Sequence, residues 1–121
     1  MRVLVDTNIW VHFFRHGNPL LEGLLEDGEV MSHPIVIGEL AMANLPQRQL
    51  FLNDLVELAQ PKVVSWNEVY RMVQSRRLWG RGIQWNDACL LASAILSERP
   101  LWTLDKRLAD IASEAGVAWT G

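Results

Sequence analysis

The stretch that decides the fold is "MRVLVDTNIW" (residues 1–10), where the apolar run Val3, Leu4, Val5 meets Asp6, Thr7 and Asn8 before apolar residues return at Ile9. A short apolar run of this kind reads as a strand covered on both faces. The acid, hydroxyl and amide directly behind it serve either to cap a helix or to form one wall of a site at the strand's end.

Working outward, strand and helix character alternate along the whole chain, with no internal repeat and no low-complexity segment. Helices are expected over 8–17, closed by Gly17, and over 18–28, with Pro19 in the first turn and Gly28 at the end. A short strand, "EVMSH" (29–33), leads to Pro34 and "PIVIGELAMANL" (34–45), a helix apolar on nearly all sides and so expected to be buried, with Glu39 its only charge. An amphipathic helix over 47–59 is broken at Pro61, and "KVVSW" (62–66) is the expected third strand. Ser65 and Glu68 stand in capping-box spacing before the helix of 67–79. The apolar helix "WNDACLLASAILSERP" (85–100) precedes a fourth strand, "LWTLD" (101–105), a helix over 106–116, and a short last strand, "VAWTG" (117–121). Such alternation predicts an α/β fold: one domain over residues 1–121, with a short parallel sheet of four to five strands sandwiched by helices.

Composition supports that reading and excludes others. With 121 residues, half of them hydrophobic and 21% charged, the chain has the size and balance of one globular domain. The first apolar run stops at Asp6, and no stretch reaches the roughly 18 to 20 apolar residues a bilayer span needs, so a cytoplasmic protein with no membrane contact is expected. The one cysteine, Cys89, lies in the apolar "ACLLASAIL" and reads as a small buried hydrophobe. A net charge of −3 removes bulk attraction to nucleic acid, so any such binding has to be local or use a cation. There is no GxSxG elbow, P-loop, GxGxxG or CxxC.

Four acids carry the chemistry. Asp6 follows "VLV" and Asp105 follows "LWTL", which sends both to the carboxyl edge of a parallel sheet, where ligands of such folds bind. Glu39 lies in the first two turns of its helix and Asp87 in the first turn of another, and both helix starts can face the same rim. Each acid also has a plainer use: Asp6 and Asp105 as helix caps, Asp87 as a first-turn acid beside the helix dipole, Glu39 on an exposed sliver of its helix. Together on one rim they would repel one another unless a proton or cation intervened, and an all-oxygen set suits Mg²⁺ or Mn²⁺. Such ions promote phosphodiester hydrolysis, so the chemistry implied is that of a metal-dependent nuclease.

With these acids in this order, the chain resembles the PIN-domain family, and within it the small VapC-type toxins of bacterial toxin–antitoxin pairs. The resemblance covers essentially the whole chain and is carried by "VLVDTNIW", "IGEL", "WNDACLLASA" and "LWTLDKRLADIA". It implies an endoribonuclease whose Asp6, Glu39, Asp87 and Asp105 hold one or two Mg²⁺ or Mn²⁺ ions, supported by hydrogen bonds from Thr7, Asn8 and Thr103. It further implies RNA, commonly transfer or ribosomal RNA, as substrate, attacked by an activated water. A cognate VapB-type antitoxin and a homodimer are implied as well. Asp105, the acid such families vary most, is expected to matter less than Asp6.

For RNA or antitoxin contacts the sequence offers Arg76, Arg77 and Arg81, with Arg71, in "YRMVQSRRLWGRG" (70–82), flanked by Trp79 and Trp85 as possible base-stacking groups. The plainer reading is a solvated helix face with its tryptophans in the core. His12 and His16, four apart, read as an exposed helix face because the glutamate of HExxH is absent, and His33 ends a strand without any motif. Other classes compete. A receiver-like domain needs an acceptor aspartate after the third strand, where "KVVSW" has none, and a haloacid-dehalogenase-like phosphatase needs one at Asn8. A non-toxin RNA-processing nuclease and a catalytically silent PIN-like metal-binding scaffold share the same acids.

Overall fold

A computed structural model describes residues 1–121. The order is β1 (Val3–Val5), α1 (Thr7–His16), α2 (Pro19–Glu26), β2 (Val30–Met31), α3 (Pro34–Ala41), α4 (Arg48–Glu57), α5 (Trp66–Arg76), α6 (Trp85–Ser97), β3 (Leu101–Trp102) and α7 (Lys106–Glu114). The strands form one parallel sheet in the order β2-β1-β3, with Val3 opposite Val30, Leu4 opposite both Met31 and Leu101, and Val5 opposite Trp102. Val3, Leu4 and Val5 are all essentially inaccessible to solvent. Because successive strand residues point to opposite faces, burial of all three means that helices cover both sides of the sheet.

The sheet has three strands, fewer than the four to five that the sequence predicts. The expected third strand, 62–66, does not pair; the chain touches the sheet three residues earlier, through a single parallel bridge between Met31 and Ala59. The reason is local. Pro61 has no N–H to give, and the Lys62 N–H donates to Ser97 Oγ of α6 at 2.9 Å, which draws this segment onto the helix layer. The last segment likewise contributes one bridge, Leu101 with Ala118.

The apolar helix α3 also departs from expectation. Only Val36 and Leu40 are fully buried, Pro34, Gly38 and Glu39 face solvent, and the helix stops at Ala41 instead of running on to 45. Its last carbonyls are met by Arg48, whose Nε and Nη2 donate to the Ala41 carbonyl at 3.0 and 2.9 Å, a cation at the negative end of the helix.

The core joins the sheet to Ile9 and Trp10 of α1, Leu21 of α2, Leu40 of α3, Leu90 and Leu91 of α6, and Leu108 and Ile111 of α7. A second cluster, Val69 with Ala88 and Ala92, packs α5 on α6, and the half-buried Cys89 lies against it with its thiol pKa raised by burial. Gly82 sits at φ +85°, where a Cβ would come within 2.6 Å of the Arg107 side chain, so the loop before α6 closes tightly on the start of α7.

His33 is a structural residue outside the acidic cavity described below. Its Nδ1 accepts from the Ile35 N–H at 3.0 Å, capping α3, so the proton is on Nε2, which donates to Ser93 Oγ of α6 at 2.9 Å. Burial holds its pKa below the usual 6.5. The unfolded chain therefore binds this proton at higher pH than the folded one, so the stability this residue provides is intact above about pH 6.5 and is lost as pH falls toward the folded pKa. His33→Asn keeps a capping side chain but strands the Ser93 hydroxyl, which should cost about 1–3 kcal/mol near neutral pH. Urea melts at about pH 7.5 and pH 5.5 should show a smaller acid-induced loss for the variant than for the wild type; equal losses would remove His33 as the titrating group.

Candidate functional site

In the sheet order β2-β1-β3, the chain leaves β1 for one neighbour and returns to the other, so the strand order reverses between β1 and β3. The Asp6 N–H closes the ladder there, donating to the Trp102 carbonyl at 3.0 Å. Asp6 and Thr103 then leave the ends of adjacent strands side by side.

Thr103 Oγ1 donates to Asp6 Oδ2 at 2.8 Å and accepts from Asn8 Nδ2 and from the Asp105 N–H, each at 3.1 Å, which uses the one donor and both acceptors of a hydroxyl. Asn8 Oδ1 in turn accepts from the Leu104 N–H at 3.0 Å. An aspartate at position 8 would lack the amide donor that Asn8 supplies to Thr103 and Asp6. Thr7 joins a third element, its Oγ1 donating to Glu39 Oε1 of α3 at 2.8 Å. Thr7, Asn8 and Thr103 are thus each hydrogen-bonded to Asp6 or Glu39, and Thr7 and Asn8 also line the cavity.

The four acids line one cavity of about 530 Å³, together with Thr7, Asn8, Val11 and Leu104. Their plainer uses are real too. Asp6 and Asp105 are the N-caps of α1 and α7, and Asp87 Oδ2 accepts from the Gln84 N–H at 2.9 Å at the start of α6. Three helix N-termini thus meet the cavity, and their partial positive charge is what lets carboxylates gather there. Three of the acids keep an oxygen free: Oδ1 of Asp105 takes the Arg107 and Leu108 N–H groups, while its Oδ2, Oδ1 of Asp87 and Oε2 of Glu39 have no hydrogen-bond partner, whereas both oxygens of Asp6 accept, Oδ1 from the Thr7 N–H and Oδ2 from Thr103 and Asn8. None of the four is in an ion pair.

Asp6 is 5% exposed, and its pKa is raised above 3.8. Desolvation is the main cause, the charges of Asp87 and Glu39 add to it, and hydrogen bonds from Thr103 and Thr7 oppose it. Glu39, in contrast to the buried position expected for it, is exposed. No three of these groups converge to hold an ion by themselves. The donor chemistry fits a hard divalent cation: free carboxylate oxygens, unpaired charge, no thiolate.

The arginines picked from the sequence are elsewhere. Arg81 pairs with Glu114 of α7 at 2.7 Å, Arg76 lines a separate small cavity with them, and Arg77 ends α5 in the left-handed region at φ 55°. Trp79 and Trp85 do not line the acidic cavity either; Trp85 belongs to an exposed aromatic run in which Trp66 lies 5.4 Å from it and stacks on Tyr70 at 5.2 Å and 12°. The basic side chains at the acidic cavity are Arg15, His12 and His16, all on α1. The signal was present, since His12, Arg15 and His16 continue the helical face that starts at Asn8.

The fold and this site define a PIN domain: the PIN-domain family model matches residues 3–114, and the chain belongs to that family. It is similar over 117 residues, at 46% identity, to Ribonuclease VapC32 of Mycobacterium tuberculosis, both in strain CDC 1551 / Oshkosh and in strain ATCC 25618 / H37Rv. The match covers 96% of this chain and 94% of each relative.

The raised pKa of Asp6 has a stability consequence. Above its folded pKa the native state carries a penalty that the unfolded state lacks, and the penalty fades as pH falls toward 3.8, where both states are protonated. Without divalent metal, Asp6→Asn should therefore raise Tm near neutral pH, and the gain should shrink on acidification. Thr103→Val, which removes the shared hydroxyl, should lower stability by about 1–3 kcal/mol, while Thr103→Ser recovers most of it. Calorimetry across the pH range checks all three variants.

Proposed function

We propose that this chain is a metal-dependent endoribonuclease and the toxin of a VapBC-type toxin–antitoxin pair. The observation that carries the reading is the set of four carboxylates in one cavity at the β1–β3 switch point, with free oxygens on Glu39, Asp87 and Asp105 and no protein cation paired to any of the four. The 46% identity to proteins named Ribonuclease VapC32 supports the same assignment. Mg²⁺ or Mn²⁺ bound there would supply Lewis-acid activation of a phosphodiester and of the attacking water.

The chain's own residues do the rest. Asp6, Glu39, Asp87 and Asp105 are the proposed metal ligands and catalytic acids, and the charges of Glu39 and Asp87 act on Asp6. Within this set the proposed role of Asp105, which lines the same cavity at the start of α7, is to position a second ion or a water. Thr7, Asn8 and Thr103 hold the carboxylates in place by the hydrogen bonds described above. Fixing the acids before substrate arrives is worth more than the bonds themselves, because misplacing a reacting group by about 1 Å can cost on the order of a hundredfold in rate. Transfer or ribosomal RNA is the proposed substrate class, and residues 1–121 are proposed to act as one domain. A VapB-type antitoxin that covers the site, a homodimer and a cytoplasmic location complete the proposal. No helix of the chain is long and apolar enough to cross a membrane.

The test is cleavage of total bacterial RNA by purified protein in Mg²⁺ or Mn²⁺, with chelator and Asp6→Asn controls. Discrete fragments absent from both controls support the proposal. Glu39→Gln and Asp87→Asn should each reduce cleavage by about a hundredfold or more, and Asp105→Asn by less. Mn²⁺ should raise the Tm of the wild type and leave Asp6→Asn unchanged, by about 2.7 kcal/mol of added stability at a hundred times Kd. Metal binding with every RNA left intact, in protein free of antitoxin, would favour the silent metal-binding scaffold.

A further inference from the structure

Arg15 is the one guanidinium at the acidic cavity, and it is unpaired: it makes no ion pair, although four carboxylates line the same space. Opposite charges that face a common cavity without meeting leave room for a ligand that is anionic toward one wall and cation-bridged toward the other. A nucleic-acid backbone meets that description.

The placement of Arg15 is fixed by the same helix that begins at Asp6. At about 1.5 Å of rise per residue, its Cα lies roughly 13 Å along the axis of α1 from Asp6, and helical side chains lean back toward the N-terminus. Arg15 thus shares the cavity with the acids at a distance along α1 from Asp6 and makes no ion pair with any of them. His12 stands one turn nearer to Asp6, and its ring centroid is 5.2 Å from that of His16. An imidazole offers an N–H donor in either protonation state.

We propose that His12, Arg15 and His16 of α1 form a phosphate-binding rail that grips the RNA backbone at a phosphate next to the scissile one and so sets the register of cleavage; this rests on the nuclease reading above. Arg15 supplies locally a positive charge in a chain of net charge −3, and the two imidazoles add N–H donors beside it. Phosphate contacts fix where a strand lies and carry no base information themselves. Arg81 does not compete for this role, since it is paired with Glu114.

The experiment has two arms. In the first, Asp6→Asn, which cannot cut, is titrated with poly(U) at several salt concentrations, with and without Arg15→Ala. Loss of Arg15 should lower the salt-dependence slope by about one, and Arg15→Lys should restore most of it. In the second, wild type and Arg15→Ala cleave a short synthetic RNA that reproduces the site mapped in total RNA, with a single uncharged methylphosphonate placed in turn at each linkage beside the scissile bond. Wild type should show KM raised about five- to tenfold at one flanking position with kcat nearly unchanged, and Arg15→Ala should show no penalty there. An unchanged salt slope, or the same flanking penalty in Arg15→Ala, would overturn the rail while leaving the nuclease intact. If wild type cleaves no RNA at all, the nuclease reading fails, and the poly(U) arm alone decides whether α1 binds phosphates.

Discussion

The hydroxyl of Thr103 is the joint on which this structure depends. It bonds to Asp6, Asn8 and the backbone of Asp105, and so ties the ends of the two strands between which the sheet order reverses. A sheet with only three residues in its longest strand and two in each of the others has few ladder bonds to fix its edge. Side-chain bonds across the strand ends do that work instead. They are made in a partly buried setting, where water competes poorly and an unmade bond is costly.

That joint has an electrostatic cost. Holding Asp6 nearly out of water beside two other acids makes its charged form less stable than in the unfolded chain. The helix N-termini and the hydroxyl and amide donors offset part of the penalty, and a bound cation would offset more. Residues that destabilise the empty fold and are held in place by several independent partners are a common mark of a functional site. Here Asp6 and Asp87 serve both at helix starts and as proposed metal ligands. For Asp105 the two uses are compatible because a carboxylate has two oxygens and its cap of α7 needs only Oδ1.

The connection from α3 to α6 shows how the rest of the fold serves the rim. His33 and Ser93 bond in the interior and set the start of α3 against α6, and Thr7 holds Glu39 toward α1. Glu39 and Asp87 reach one cavity although they lie far apart in the sequence. The arginines and tryptophans around 71–85 lie just before Asp87 in sequence but do not share its cavity. Proximity along the chain is a poor guide once a loop turns, and Arg81 instead found an acid on α7.

The sequence by itself determined the alternation of apolar strands and helices, the acids behind the first and last sheet strands, and their supporting hydroxyl and amide residues. These are local patterns: a strand's burial, a cap and the residue after a strand are set by neighbours a few positions away. Only the tertiary structure decided that the sheet stops at three strands, that Glu39 is exposed, that His33 is an interior cap, and that Arg15 on α1 rather than Arg76, Arg77 or Arg81 faces the acids. Each of these depends on which distant group a side chain or an N–H meets: Ser97 for Lys62, Ser93 for His33, Glu114 for Arg81. Such pairings are chosen by packing in three dimensions, and short-range periodicity carries no record of them.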